Sequence, residues 1–228
     1  MNRIIATVLI ALTCYCPAHA HKKAHHRGML DALLTILRDR NTTYDDFRIA
    51  SNKLAYLLAA QAAEKLETVS VALETPLART TGTLLAHEIV LVPIVRSGLA
   101  LLPSFMEMFE ASKVGFVVLQ RDEETALPQL FYAKFPEFNN STRIIILEPM
   151  VATGGSVTAA LKILNERGIP NKHIIVVSVV VSSEGLKTVK EEFPGVTIIY
   201  AAEDPHLNMK KYIVPGLGDF GDRYFGTV

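Results

Sequence analysis

Apolar residues in this chain fall into two kinds of run. Some are short and nearly unbroken: residues 89–92, 114–119, 144–147, 173–181 and 196–200 are mostly branched or aromatic, as strands buried on both faces of a parallel sheet must be. Between them, apolar residues recur every three or four positions, which gives a helix one buried stripe. Val157, Leu161, Ile163 and Leu164 have that spacing; residues 99–111 and the segment opened by Ser183-Glu184-Gly185 read the same way. The alternation from residue 89 to residue 201 predicts an α/β domain, a doubly wound, mainly parallel five-stranded sheet with helices on its faces.

Upstream the pattern changes. Residues 30–37 are spaced as a helix, and Asn41-Thr42-Thr43 breaks it. Thr43, with Asp46 three residues on, caps a second helix whose buried face takes Phe47, Ala50, Leu54, Leu57 and Leu58. These helices predict an arm over residues 21–76, packed on the main body or on another subunit, that carries no evident chemistry. Residues 67–74 alternate as an edge strand would, and Thr75-Pro76 ends it.

Candidate chemistry gathers where the apolar runs stop. The run 144–147 ends at Glu148, and Pro149-Met150-Val151-Ala152-Thr153-Gly154-Gly155-Ser156 leads into a helix. Amides without intrahelical partners and the positive end of the helix dipole make such a loop an anion site, and the Thr153 and Ser156 hydroxyls add donors. No Lys follows the glycines, so the P-loop pattern fails, and the dinucleotide fingerprint lacks its third glycine. On these residues alone an ordinary capped turn remains equally open. An acid shortly before a phosphate cradle suits a ligand with sugar hydroxyls and a phosphate.

Three further stretches bear on the same edge of the sheet. Pro93-Ile94-Val95-Arg96-Ser97-Gly98-Leu99 puts an arginine at a strand's carboxyl end, where open sheets bind ligands and a guanidinium can grip a diphosphate through paired hydrogen bonds. Taken alone, Arg96 is better read as a surface residue capping a loop, and the run Gln120-Arg121-Asp122-Glu123-Glu124-Thr125 as a solvated face. Residues 126–140, with two prolines, predict a small hairpin or hood over the site. Residues 212–227 hold four glycines and one proline, too many for a helix or central strand, so an ordered loop is expected. Its backbone could approach a flat ligand and read its edge.

Together these motifs resemble those of the uracil phosphoribosyltransferases, which are type I phosphoribosyltransferases. The likeness rests on the acid followed by Pro149-Met150 and Ala152-Thr153-Gly154-Gly155-Ser156, on Arg96 and Arg121 in their segments, on Asp204-Pro205-His206-Leu207-Asn208, and on the glycine-rich carboxyl end. The resemblance implies transfer of ribose phosphate from 5-phosphoribosyl 1-diphosphate (PRPP) to uracil, giving UMP and diphosphate in pyrimidine salvage. It implies a PRPP site of Arg96, Arg121, Glu148, Pro149, Met150, Val151, Ala152, Thr153, Gly154, Gly155, Ser156 and Asp219, with Arg121, Glu148 and Asp219 closest to catalysis. Ile213, Gly218, Asp219 and Phe220 would form the uracil site in a base-binding loop over 212–228, and Tyr132 and Lys134 match a Tyr-x-Lys in the hood.

The same resemblance implies Mg2+ carried on the diphosphate, with no dedicated metal ligands in the protein, GTP as an allosteric activator, and a homodimer or homotetramer. Several positions depart from the usual pattern. Glu148 stands for aspartate, Ser97 for alanine, Val95 for leucine, Gln120 for tyrosine, and Phe220 for an alanine beside the base. A longer acid misplaces its carboxylate by about an ångström, enough to matter for rate, and a phenyl ring turned inward would close the base pocket. These departures open a second reading, a PRPP or nucleotide binder that kept the fold without turnover and acts as a regulatory subunit.

Composition narrows the classes and raises one conflict. With 228 residues, half of them hydrophobic, and a formal net charge of zero, the chain can bury one substantial core and advertises no attraction to nucleic acid or anionic membrane. Both cysteines, Cys14 and Cys16, lie in a segment that reads as a secretory signal: Met1-Asn2-Arg3, an apolar run over 4–12 too short to span a bilayer, and Ala18-His19-Ala20. A histidine-rich basic patch follows at 21–27 and reads as a solvated tail. PRPP chemistry points instead to the cytoplasm. Export, a retained extension over 1–20 before a transferase domain at 21–228, and a start at Met29 all stay open.

Overall fold

A computed structural model describes residues 28–121 and 128–227. The signal-like segment, the patch at 21–27, and residues 122–127, which take in most of the charged run and the start of the expected hood, lie outside the described residues. Two helices open the fold, α1 (Met29–Arg38) and α2 (Tyr44–Ala63), followed by strands β1 (Thr68–Glu74), β2 (Arg79–Leu85) and β3 (Ile89–Val95). A 3-10 turn (Ser97–Ala100) leads to α3 (Leu102–Met108), β4 (Lys113–Val114), β5 (Phe116–Arg121), β6 (Pro128–Lys134), β7 (Arg143–Leu147) and β8 (Met150–Val151). Then come α4 (Gly155–Glu166), β9 (Ile174–Ser182), α5 (Ser183–Glu192), β10 (Thr197–Asp204), β11 (His206–Leu207), β12 (Ile213–Val214) and α6 (Phe220–Phe225).

The main sheet runs β10-β9-β7-β3-β5-β6, parallel except for the last pair. Every expected strand is present, but the count is eight rather than five, because the edge strand β6 and the short β4 and β8 join them. The run 114–119 is split at Gly115, where a Cβ would lie 2.7 Å from the Phe135 ring. From β3 the chain moves outward to β5; from β7 it moves the other way, to β9 and β10. The β3/β7 pair is therefore the switch point, where loops diverge and leave a crevice.

Period-two burial explains the unbroken apolar runs. Ile89, Leu91, Ile145, Leu147, Ile175 and Val177 face one core with α1, α2 and α3. Val90, Val92, Ile144, Ile146, Ile174 and Val176 face the other with α4 and α5. Both faces are covered, so polar alternation has no place in the central strands.

The amino-terminal helices begin as expected. The Thr43 hydroxyl accepts the Asp46 amide at 3.2 Å, closing the cap of α2. Phe47, Leu54 and Leu58 are fully buried in the same core as Ile145, so the arm is one layer of the domain. The strand expected at 67–74 is not an edge of the main sheet. It pairs antiparallel with β2 in a separate hairpin turned by Thr75, whose hydroxyl accepts the Leu77 and Ala78 amides. Its partner, Arg79-Thr80-Thr81-Gly82-Thr83-Leu84-Leu85, has no apolar alternation and gave no strand signal.

One close approach fixes the junction below the β7–α4 loop. A Cβ on Gly185, in the first turn of α5, would lie 2.3 Å from the Ala152 carbonyl oxygen. Alanine in a helix gains at most ~1 kcal/mol over glycine, whereas forcing backbone apart costs about 1–3 kcal/mol. Gly185→Ala is expected to lower stability by ~1 kcal/mol, and at most ~2 kcal/mol, in urea unfolding, and a stabilised variant would contradict this packing.

Candidate active site

A cleft of about 260 Å3 opens at the carboxyl ends of the strands beside the switch point. Its floor and one wall come from the β7–α4 segment. Gly154 caps α4 at φ 87°, a backbone conformation glycine accepts without strain, and the Thr153 hydroxyl accepts the Gly155 amide at 3.4 Å. Beneath them the Ser182 hydroxyl donates to the Ala152 carbonyl and accepts the Gly185 amide at 2.8 Å. The first-turn amides of α4 lack intrahelical partners, so the cleft has a fixed anion-binding end.

Glu148 lies beside this cradle with 7% of its surface exposed. Ser97 Oγ donates to its Oε1 at 3.0 Å, and the Met150 amide donates to the same oxygen at 3.4 Å. Burial, reinforced by the Asp219 charge and opposed by those two hydrogen bonds, pushes the Glu148 carboxyl up to about 7. Desolvation outweighs the donors.

The opposite wall is the carboxyl-terminal segment. It contains the short helix α6, which the glycine count had argued against; Asp219 caps it by accepting the Asp222 amide at 2.9 Å, and Gly226 ends it at φ 69°. The helix forms because its glycines sit at the edges while Phe220 and Tyr224 point into the core. The Phe220 ring is 1% exposed and packs edge-on against Phe47 at 5.2 Å and beside Tyr224 at 6.2 Å. Phe220 borders the cleft without closing it, because its ring is held in the core.

The arm holds this wall in place. Arg38 forms a paired contact with Asp204, at 2.7 and 2.8 Å, and donates to the Gly216 carbonyl at 2.8 Å, while the Gly216 amide returns to Asp204 at 2.8 Å. Arg223 spans the Leu217 and Asp39 carbonyls, each at 2.7 Å, and Tyr224 donates to Asn52 at 2.8 Å. Asn208 accepts the Lys210 and Tyr212 amides, forming the turn that brings Lys211 and Tyr212 to the cleft. The 204–208 motif thus acts as scaffold for the loop.

Most of the residues expected to form a site meet here. Glu148, Met150, Val151, Ala152, Thr153, Gly154, Gly155 and Ser156 share the cleft with Ile213, Gly218, Asp219 and Phe220. Pro149 stands just behind, its carbonyl accepting from Ser178 Oγ at 3.0 Å. Arg96 does not line the cavity; its guanidinium reaches Asp222 at 2.6 Å and Thr227 at 2.9 Å on the rim. Arg121 ends β5, and its side chain lies outside what the structure describes. Tyr132 and Lys134 are exposed on β6, whose pairing with β5 makes the expected hood an extension of the sheet. Ser97, Leu119, Lys211 and Tyr212 also line the cleft; only the place of Ser97 beside Arg96 could have signalled it. Among the described residues no cluster of three or more His, Cys, Asp or Glu could hold a metal ion, and no helix is long and apolar enough to cross a membrane.

Known proteins share both sequence and fold with this chain. The family model described as uracil phosphoribosyltransferase matches residues 24–227. A protein of that name from Dictyostelium discoideum is 40% identical over 206 residues, covering 90% of this chain and 94% of its own. Another from Mycoplasma genitalium is 41% identical over 206 residues, covering 90% and 98%. The solved structure of the AQ2163 protein from Aquifex aeolicus superposes with a TM-score of 0.80 at 31% identity, covering 88% of this chain and 95% of that one.

The buried acid gives stability a defined pH dependence. An unfolded chain releases the Glu148 proton near its ordinary 4.5, while the folded chain keeps it until about 7. The contribution of this group is therefore full below 4.5 and is lost as pH rises to 7, a change of about 3 kcal/mol. Glu148→Gln cannot ionise, so its stability relative to the parent should climb by roughly that amount across the same interval in urea titrations. A difference that stays flat with pH would contradict a carboxyl buried in this way.

Proposed function

This chain belongs to the uracil phosphoribosyltransferase family and is a pentosyltransferase that makes UMP and diphosphate from uracil and PRPP; we propose that the cleft beside Glu148 is where it does so. The observation that carries this reading is that a phosphate cradle with a buried acid and a glycine-rich loop form opposite walls of one cavity.

Displacing diphosphate from ribose C1 by the uracil nitrogen builds positive charge on the sugar and negative charge on the leaving group. The α4 amides, with Thr153 and Ser156, anchor the 5-phosphate, and Met150, Val151, Ala152, Gly154 and Gly155 shape the cradle over Pro149. Glu148 holds the ribose hydroxyls and, in its ionised form, offsets the developing cation. Arg96 and Arg121 stabilise the departing diphosphate. Asp222 holds Arg96 at the rim, so the contact joins the diphosphate side to the base loop. Ile213, Gly218 and Phe220 present uracil, largely through main chain, with Asp219 between the two substrates. Lining both reactants up accounts for much of the rate such a site can supply.

Magnesium would enter with the PRPP substrate and would neutralise charge on the leaving diphosphate, with no dedicated protein ligands called for. Activation by GTP, and action in the cytoplasm where PRPP is made, follow from the resemblance and the substrate. Assembly into a homo-oligomer is supported by the β1–β2 hairpin, which exposes Val69, Leu73, Leu77 and Leu84; a hairpin of this size is marginal without packing.

Arg121→Ala and Arg96→Ala should each lower PRPP turnover about 100-fold or more with labelled uracil as acceptor. Parental rates would remove those assignments, and tight PRPP binding without UMP would favour the non-catalytic reading. Leu73→Glu combined with Leu84→Glu should shift sedimentation toward a smaller species; an unchanged profile would exclude the hairpin as the interface.

A further inference from the structure

Resting on the reading of Glu148 as the ribose-facing carboxylate, we propose that Ser97 is its positioning residue, turning the side chain so that protein holds one oxygen and the other meets the ribose hydroxyls of PRPP. Both hydrogen bonds to Glu148 fall on Oε1, from Ser97 Oγ at 3.0 Å and the Met150 amide at 3.4 Å. Oε2 takes none from the described residues. A glutamate has one more rotatable bond than an aspartate, and in an open cleft its carboxylate needs a second anchor to keep a productive direction.

The anchor itself is rigid. Ser97 starts the 3-10 turn after β3, and at the next position a Cβ on Gly98 would lie 2.3 Å from the Leu147 carbonyl oxygen and 3.1 Å from Pro93 Cα. The turn therefore sits directly on the residue preceding Glu148. Backbone contact fixes the span from Ser97 to the carboxylate. Two departures from the usual family pattern, serine for alanine and glutamate for aspartate, are in contact here, and the hydroxyl reaches the oxygen that the extra methylene displaced.

Among the described residues the charged groups around this pair are few. Asp219, from the cap of α6, acts on the carboxyl as a like charge. Arg96, beside Ser97, is engaged by Asp222, and Lys211 on the cleft wall is paired with Glu184 at 3.4 Å. Ser97 and the Met150 amide favour the ionised form against burial and Asp219.

The test is the pH profile of UMP formation from PRPP, magnesium and uracil. Ser97→Ala should move the acid limb of kcat/KM up by roughly half to one pH unit and cut turnover at pH 7 about two- to fivefold, with most of the loss recovered at higher pH. Ser97→Thr, which keeps the hydroxyl, should restore the limb. In a Glu148→Asp background the shorter acid falls short of the hydroxyl, and Ser97→Ala should add less than about a twofold change. An unmoved limb, or an equal loss in both backgrounds, overturns the proposal. Parental turnover by Glu148→Gln would instead remove Glu148 from the chemistry; carbon-13 titration of the Glu148 carboxyl then reads the bond directly, and identical titration in the parent and Ser97→Ala overturns the positioning role.

Discussion

The site depends on a reversal of direction within the sheet. Neighbouring parallel strands β3 and β7 send their continuing chains to opposite sides, so no crossover covers the gap above their carboxyl ends. One side of the cleft is built from the two loops that leave this gap. The Ser97 turn follows one strand, and Glu148 with the cradle follows the other. The close seating of Gly98 on Leu147, and of Gly185 on Ala152, turns two divergent loops into one rigid rim. Side chains at either place would push the backbone apart and open the cleft.

Placing a carboxylate in this rim sets electrostatics against function. Burial and the Asp219 charge favour the neutral acid, while the two donors favour the ion, the form that the proposed contact with ribose hydroxyls and a cationic transition state would use. With two donors on Oε1 the balance falls near neutrality, about 7. The group can thus be ionised under ordinary conditions at a cost to stability borne by the rest of the fold. Strands such as β9, buried along their whole length, supply the surplus.

The second wall owes its shape to parts of the chain remote in sequence. Arg38 in α1, Asn52 in α2 and Asp204 at the end of β10 reach the last fifteen or so residues through side chains and carbonyls. Phe47 receives the Phe220 ring, so a bulky residue on the cleft wall strengthens the core and leaves the cavity open. The helices that looked devoid of chemistry are what orient the carboxyl-terminal wall of the cleft.

From the residues alone, the β/α alternation and the acid-to-cradle segment were legible, because unbroken apolar runs and a Thr-Gly-Gly-Ser turn are local consequences of local sequence. The buried faces of α1 and α2 and the Thr43 cap were legible for the same reason. Hidden from that reading were β2, whose threonines carry no alternation, α6, whose glycines mimic a loop, and the pairing of Arg96 with Asp222. Each is decided by a partner far along the chain. Whether Phe220 fills the pocket or the core, and which oxygen of Glu148 is held, are matters of direction rather than residue type. Direction is set by packing and hydrogen bonds that exist only once the strands are side by side.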